Sequence, residues 1–272
     1  MLRNRSGRCF ALGLVTVAMT ATIGCGEAVD DTETVQSAIT IDNALSANAL
    51  SANALSANAL SANALSANAL SANALSANAL TAGALHDPLA REFLKYVVSC
   101  ALDDGDGFSM RIDGTNYDFP GQLGLAPQWG RPHGSCDGSC QRWVSACVLA
   151  RVDAAGVKRI ISLRGQNRAL LPDIGELVRF TDREATYYGN LFVRDQPRFL
   201  CLSPDKSSDP RVCGDSMANC PMTVVGACDD ACANDHGPFG SFGDCSDHVR
   251  PGRATMYHEA ITVFLPKQST TD

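Results

Sequence analysis

Phe108 to Phe119 read FSMRIDGTNYDF, and the class of the fold turns on this stretch. Phe108, Met110 and Ile112 alternate with polar neighbours, the period of a strand that buries one face. Asp113-Gly114 is a two-residue turn signal of the kind that joins antiparallel strands, so the stretch predicts a hairpin. Directly upstream the period changes. Asp87-Pro88 suits an N-cap followed by proline at the first helical position. Leu89, Phe93, Tyr96, Val97 and Cys100 then recur at helical spacing until Asp103-Asp104-Gly105 ends the run.

Downstream the same alternation of periods continues. A second helix is expected from Ser139 to Ala155, with Trp143, Cys147 and Ala150 on one face and Gly156 as its stop. VKRIISL (Val157 to Leu163), YYGNLFV (Tyr187 to Val193) and AITVFL (Ala260 to Leu265) read as further strands. Helices interleaved with hairpins and cysteine-rich loops indicate an α+β fold. The expectation is a single disulfide-rich domain over residues 86–266, with two main helices and several antiparallel strands, followed by a disordered tail at 267–272. That length can enclose a core of its own.

Residues 1–25 are MLRNRSGRCFALGLVTVAMTATIGC. Arg3, Arg5 and Arg8 supply a positive start, and Phe10 to Ala21 an apolar run too short for a membrane-spanning helix. Thr22-Ile23-Gly24-Cys25 resembles the lipobox of bacterial lipoproteins, in which the cysteine is acylated and becomes the new N-terminus. The resemblance implies a lipoprotein signal peptide at 1–24 and lipidation of Cys25, palmitate included. Several acyl chains anchor stably because each buried CH₂ contributes about 0.8 kcal/mol. Gly26 stands where an Asp favours inner-membrane retention in enterobacterial lipoproteins, which implies the outer membrane or cell surface instead. Three arginines and no acid leave with the leader, taking the formal charge from −7 to −10. So acidic a chain is unsuited to nucleic acid, whose binding rests on neutralising phosphates.

A polar linker at 25–42 leads into seven copies of NALSA from Asn43, then NALTA, then a decayed GALHD at Gly83 to Asp87. Five residues advance a helix by about 140° per copy, which scatters the leucines round the barrel and leaves no docking stripe. The period resembles that of the pentapeptide-repeat solenoids, but the residue two places before each leucine is Asn rather than a small apolar one. The remaining reading is a low-complexity stalk at 43–85. It spans roughly 35 Å as flexible coil and about 130 Å fully drawn out.

Apart from Cys9 in the leader and Cys25, ten cysteines remain: Cys100, Cys136, Cys140, Cys147, Cys201, Cys213, Cys220, Cys228, Cys232 and Cys245. An even number in an exported chain predicts disulfides. The segment from Cys201 to Cys245 has few apolar residues to offset its ordering entropy, and crosslinks worth about 2–4 kcal/mol each would compensate. Zinc is a rival, with Cys136 and Cys140 near His133, or Cys228 and Cys232 near His236. Paired CxxC knuckles are missing, and the expectation is no metal and no other cofactor.

GSCDGSCQRWVSAC (Gly134 to Cys147) resembles the nucleophile-bearing helix start of papain-type cysteine peptidases. That resemblance implies a cysteine hydrolase with Cys140 as nucleophile and His258, in YHEAITVFL, as base. Gln141 stands where that family has its Trp, and Trp143 follows two residues late. DDGDGFSMRID (Asp103 to Asp113) has the acid-and-glycine character of a calcium loop, but Leu102 would occupy the first ligand position, and a polar turn ahead of a hairpin is the stronger reading. Trp129, Trp143, Tyr187 and Tyr188 could form a glycan-stacking face, but aromatics at these spacings more often belong to the core.

The lipobox, the repeat, and the segments DPLAREFLKYVVSCAL, YDFPGQLGLAPQW, CQRWVSACVLARVDAAGV, ISLRG and YYGNLF resemble a group of envelope lipoproteins typical of myxobacteria. The resemblance supports location and architecture and carries no catalytic residues. The sequence therefore reads as a lipid-anchored, surface-displayed protein, non-enzymatic, for binding, adhesion or envelope structure. Its partners would be the membrane, through the N-terminal lipid, and an extracellular protein or glycan.

Overall fold

In the computed structural model, the described residues are Leu45–Ser46 and residues 85–204, 210–214, 217–234, 238–248 and 254–267. All belong to one compact unit, Gln36–Asp272; the other unit, Met1–Val35, lies outside them, as do Cys25, His236 and nearly all of the repeat.

The elements follow in chain order. β1 (Leu45–Ser46) comes from the first NALSA copy, and α1 is Pro88–Ala101. β2 (Gly107–Ile112) and β3 (Thr115–Pro120) form the hairpin, α2 is Gly138–Ala150, and β4 is Val152–Asp153. β5 (Ser162–Arg164), the short α3 (Ile174–Arg179), β6 (Phe180–Gly189), β7 (Arg198–Leu202) and β8 (Thr223–Ala227) follow. α4 (Cys228–Ala231), β9 (Cys232–Asn234), β10 (Gly243–Ser246), β11 (Met256–Tyr257) and β12 (Ala260–Pro266) complete the domain.

The fold is mixed α+β. Its main sheet runs β5-β12-β6-β7-β8, antiparallel except for the parallel β7–β8 pair. β11-β10-β9 make a smaller antiparallel sheet. α2 packs across β6 and β12, and α1 packs on α2 and on β3. The main core lies between helices and sheet, where Phe93, Val97, Trp129, Val144, Tyr187 and Ile261 are all 1 % exposed or less. A second cluster joins Tyr188, Phe242 and Tyr257 to the cysteines of the small sheet. Trp129, Tyr187 and Tyr188 are thus core residues, not a glycan-stacking face.

Local chemistry accounts for the element ends. The Asp87 carboxylate accepts from Leu89 N at 2.8 Å, capping α1 as expected, with Pro88 in its first turn. Asp113 (φ 50°) and Gly114 (φ 81°) both take the left-handed conformation that lets a two-residue turn match the twist of its strands.

Three expected boundaries are corrected. α2 stops at Ala150, not Ala155, because Arg211 donates to the carbonyls of Ala150 and Val152, which a longer helix would occupy. The strand expected over 157–163 contracts to Ser162–Arg164, the residues opposite β12; Val157 and Ile160 upstream are exposed. The strand expected over 187–193 instead runs Phe180–Gly189. Gly189 ends it at φ +141°, where a Cβ would lie 2.1 Å from the Pro197 carbonyl oxygen.

Candidate functional site

All ten cysteines of the domain are paired. Cys100–Cys147 joins α1 to α2, and Cys136–Cys140 closes a short loop at the start of α2. Cys201–Cys228 ties β7 to α4, Cys213–Cys220 closes a loop, and Cys232–Cys245 crosses between β9 and β10. The last pair occupies directly opposed positions in the antiparallel ladder, where facing side chains come closest.

Sulfurs of two of these disulfides meet. Cys201 Sγ lies 3.6 Å from Cys232 Sγ, and the sulfurs of Cys201, Cys232 and Cys245 fall within 4.8 Å of one another. Among the described residues this is the one grouping of three His, Cys, Asp or Glu ligand atoms. A disulfide sulfur is not a thiolate, so the bonded cluster is a packing contact rather than a metal centre. Asp103, Asp104 and Asp106 do not converge on one point, and the calcium-loop character of that segment is that of a turn.

The residues of the hydrolase alternative sit near the first turn of α2 and the start of β12. Asp137 caps α2 by accepting from Cys140 N at 2.9 Å, which places Cys140 at the positive helix end. Cys140 is nevertheless 7 % exposed and bonded to Cys136, a form with no nucleophilic thiolate. His258 is exposed and pairs through Nδ1 with Asp244.

Sequence reasoning missed a bond that joins α2 to the residue just before β12. Arg142 forks onto Glu259, Nε to Oε2 at 2.5 Å and Nη2 to Oε1 at 3.0 Å. Burial, the largest single influence, would raise the Glu259 pKa, but hydrogen bonds from Arg142, Ser139 and the backbone, together with the guanidinium charge, outweigh it and leave the carboxyl below its ordinary value. The Arg142 guanidinium is held above its own ordinary value, chiefly by the same hydrogen bonds. Asn190 Nδ2 donates to Gln141 Oε1 at 3.2 Å, and Leu191 N donates to Ser145 Oγ at 2.8 Å. Gln141 therefore pins α2 to the loop after β6.

Among the described residues, two surface grooves offer places for a ligand. One, of about 310 Å³, runs along Pro197 to Phe199 and Pro221 to Thr223. The other, of about 360 Å³, lies beside the hairpin and is lined by Asp106, Phe108, Pro127, Arg131 and Pro132 among others. Phe108 offers a half-buried ring in the same groove as an exposed acid, Asp106, and an exposed cation, Arg131. That mixture suits stacking plus polar contacts, at a volume near the lower end for small-ligand sites.

No protein-family model, curated protein or solved structure matches the chain. No helix of the described residues is long and apolar enough to cross a membrane.

Proposed function

We propose that this chain is a lipid-anchored display protein of the outer membrane or cell surface. Residues 1–24 direct export, acylated Cys25 holds the membrane, and the NALSA region spaces the disulfide-bonded domain from it. The domain binds an extracellular protein or glycan through the groove at Asp106, Phe108 and Arg131 and performs no chemistry of its own.

The observation that carries this reading is the complete pairing of ten cysteines in five disulfides. Such a set is stable only where thiols oxidise, which agrees with export. It also weighs against the cysteine-hydrolase alternative, since Cys140 has its sulfur committed to Cys136.

Acylation is tested by Cys25→Ala in the native host. The expected result is loss of palmitate label and transfer of the protein from the membrane pellet to the soluble fraction. A variant that stays labelled and membrane-bound would overturn the anchor.

A further inference from the structure

β1 is where the repeat meets the domain among the described residues. Leu45 and Ser46, the third and fourth letters of the first NALSA copy, pair in parallel with Val152 and Asp153. The acceptor is set rigidly. Val152 and Asp153 are 0 % and 1 % exposed. Arg211 Nη1 donates to the Val152 carbonyl at 2.7 Å, and Ala154 N donates to the Arg211 carbonyl at 3.0 Å. The Asp153 carboxylate accepts from Ala155 N and from Arg159 Nε.

A strand added to a sheet is held mainly by its backbone, and the side-chain alternation selects its register. A slip of one residue would offer Ala-Leu or Ser-Ala in place of Leu-Ser and reverse the faces. A slip of five restores the identical letters. Leu50–Ser51, Leu55–Ser56, Leu60–Ser61, Leu65–Ser66, Leu70–Ser71 and Leu75–Ser76 therefore offer β4 the same local interaction as Leu45–Ser46.

We propose that β4 is a docking site for an extended Asn-Ala-Leu-Ser-Ala pentad, and that any of the seven copies in this chain seats there in turn. The only difference between registers is the loop left between the seated copy and Leu85. Its closure cost grows slowly with length, so the first and seventh registers differ by about tenfold and none is shut out. Each step of one copy transfers five residues between that loop and the segment leading to the N-terminus. The maximal reach of that segment changes by about 17 Å per step. The repeat thereby becomes a spacer with discrete lengths, set by which copy is seated. This holds whether or not Cys25 is acylated.

Hydrogen exchange of the full, disulfide-bonded chain tests the proposal, read at Val152 and Asp153, the residues paired with β1, with β12 as internal control. Proline at both Leu45 and Ser46 disables the first copy by blocking its backbone pairing. Protection at Val152 and Asp153 is expected to stay within about twofold of wild type, because another copy takes its place. Proline at the Leu and the following Ser or Thr of all eight copies is expected to lower protection there at least tenfold, with β12 unchanged. The proposal is overturned if the first-copy variant alone loses protection, or if the all-copy variant keeps it. Loss that spreads to β12 overturns it too, because a site with interchangeable occupants cannot be what holds the sheet together. Protection that rises with protein concentration would seat a second molecule's repeat and overturn the assignment to the same chain.

Discussion

Replacing Cys100 and Cys147 together by alanine is expected to cost about 4 kcal/mol of folding stability, measured by guanidinium unfolding. The bond closes a sequence separation of 47 and ties α1 to α2, and both sulfurs are fully buried. Removing it restores the loop entropy of the unfolded chain. The matched control is Cys136→Ala with Cys140→Ala, whose separation of 4 predicts about half that loss. Equal losses from the two pairs would show that chain entropy does not set the scale and that local packing does. A loss near 4 kcal/mol would leave a domain of ordinary stability close to unfolding, because net stabilities are about 5–15 kcal/mol.

Arg211→Ala is expected to cost about 3–5 kcal/mol, the range found when one partner of a buried ion pair is removed. Arg211 Nε sits 3.1 Å from Glu184 Oε2, with the side chains 5 % and 1 % exposed. Its other nitrogens donate to the carbonyls of Ala150 and Val152, and its own N–H donates to Glu184 Oε1 at 2.9 Å. The substitution strands a buried carboxylate and two carbonyls at the end of α2. Arg211→Met with Glu184→Leu should cost less than Arg211→Ala alone, because no charge is then left unpaired. If the double variant is the less stable of the two, the pair is itself a net stabiliser and the desolvation argument fails.

The sequence disclosed those parts of the fold whose cause is local. Asp87-Pro88 announced α1 because capping and a missing N–H act within one turn. Asp113-Gly114 announced the β2–β3 turn because a left-handed pair needs those residue types. The end of α2 was hidden, since Arg211, some sixty residues away, takes the carbonyls that would have prolonged it. The extent of β5 was hidden for a similar reason, as its length is set by how much of β12 faces it rather than by VKRIISL itself.

At the candidate site the even cysteine count foretold bonding but not connectivity. Cys232–Cys245 depends on two short strands facing each other, which no spacing rule reports. The Arg142–Glu259 fork, between residues 117 apart in sequence, left no signal in either neighbourhood. Leu45–Ser46 on β4 was unforeseeable as well, because the repeat reads identically in every copy and only the domain supplies the acceptor.

Intact-mass spectrometry of the unreduced chain, unfolded in the presence of excess alkylating agent, tests the account most directly. A fully bonded domain predicts no alkyl group on any of the ten cysteines from Cys100 to Cys245, and the full complement only after reduction. Alkylation of Cys140 before reduction, together with one other of the ten cysteines, would contradict the account and restore a thiol nucleophile at the head of α2.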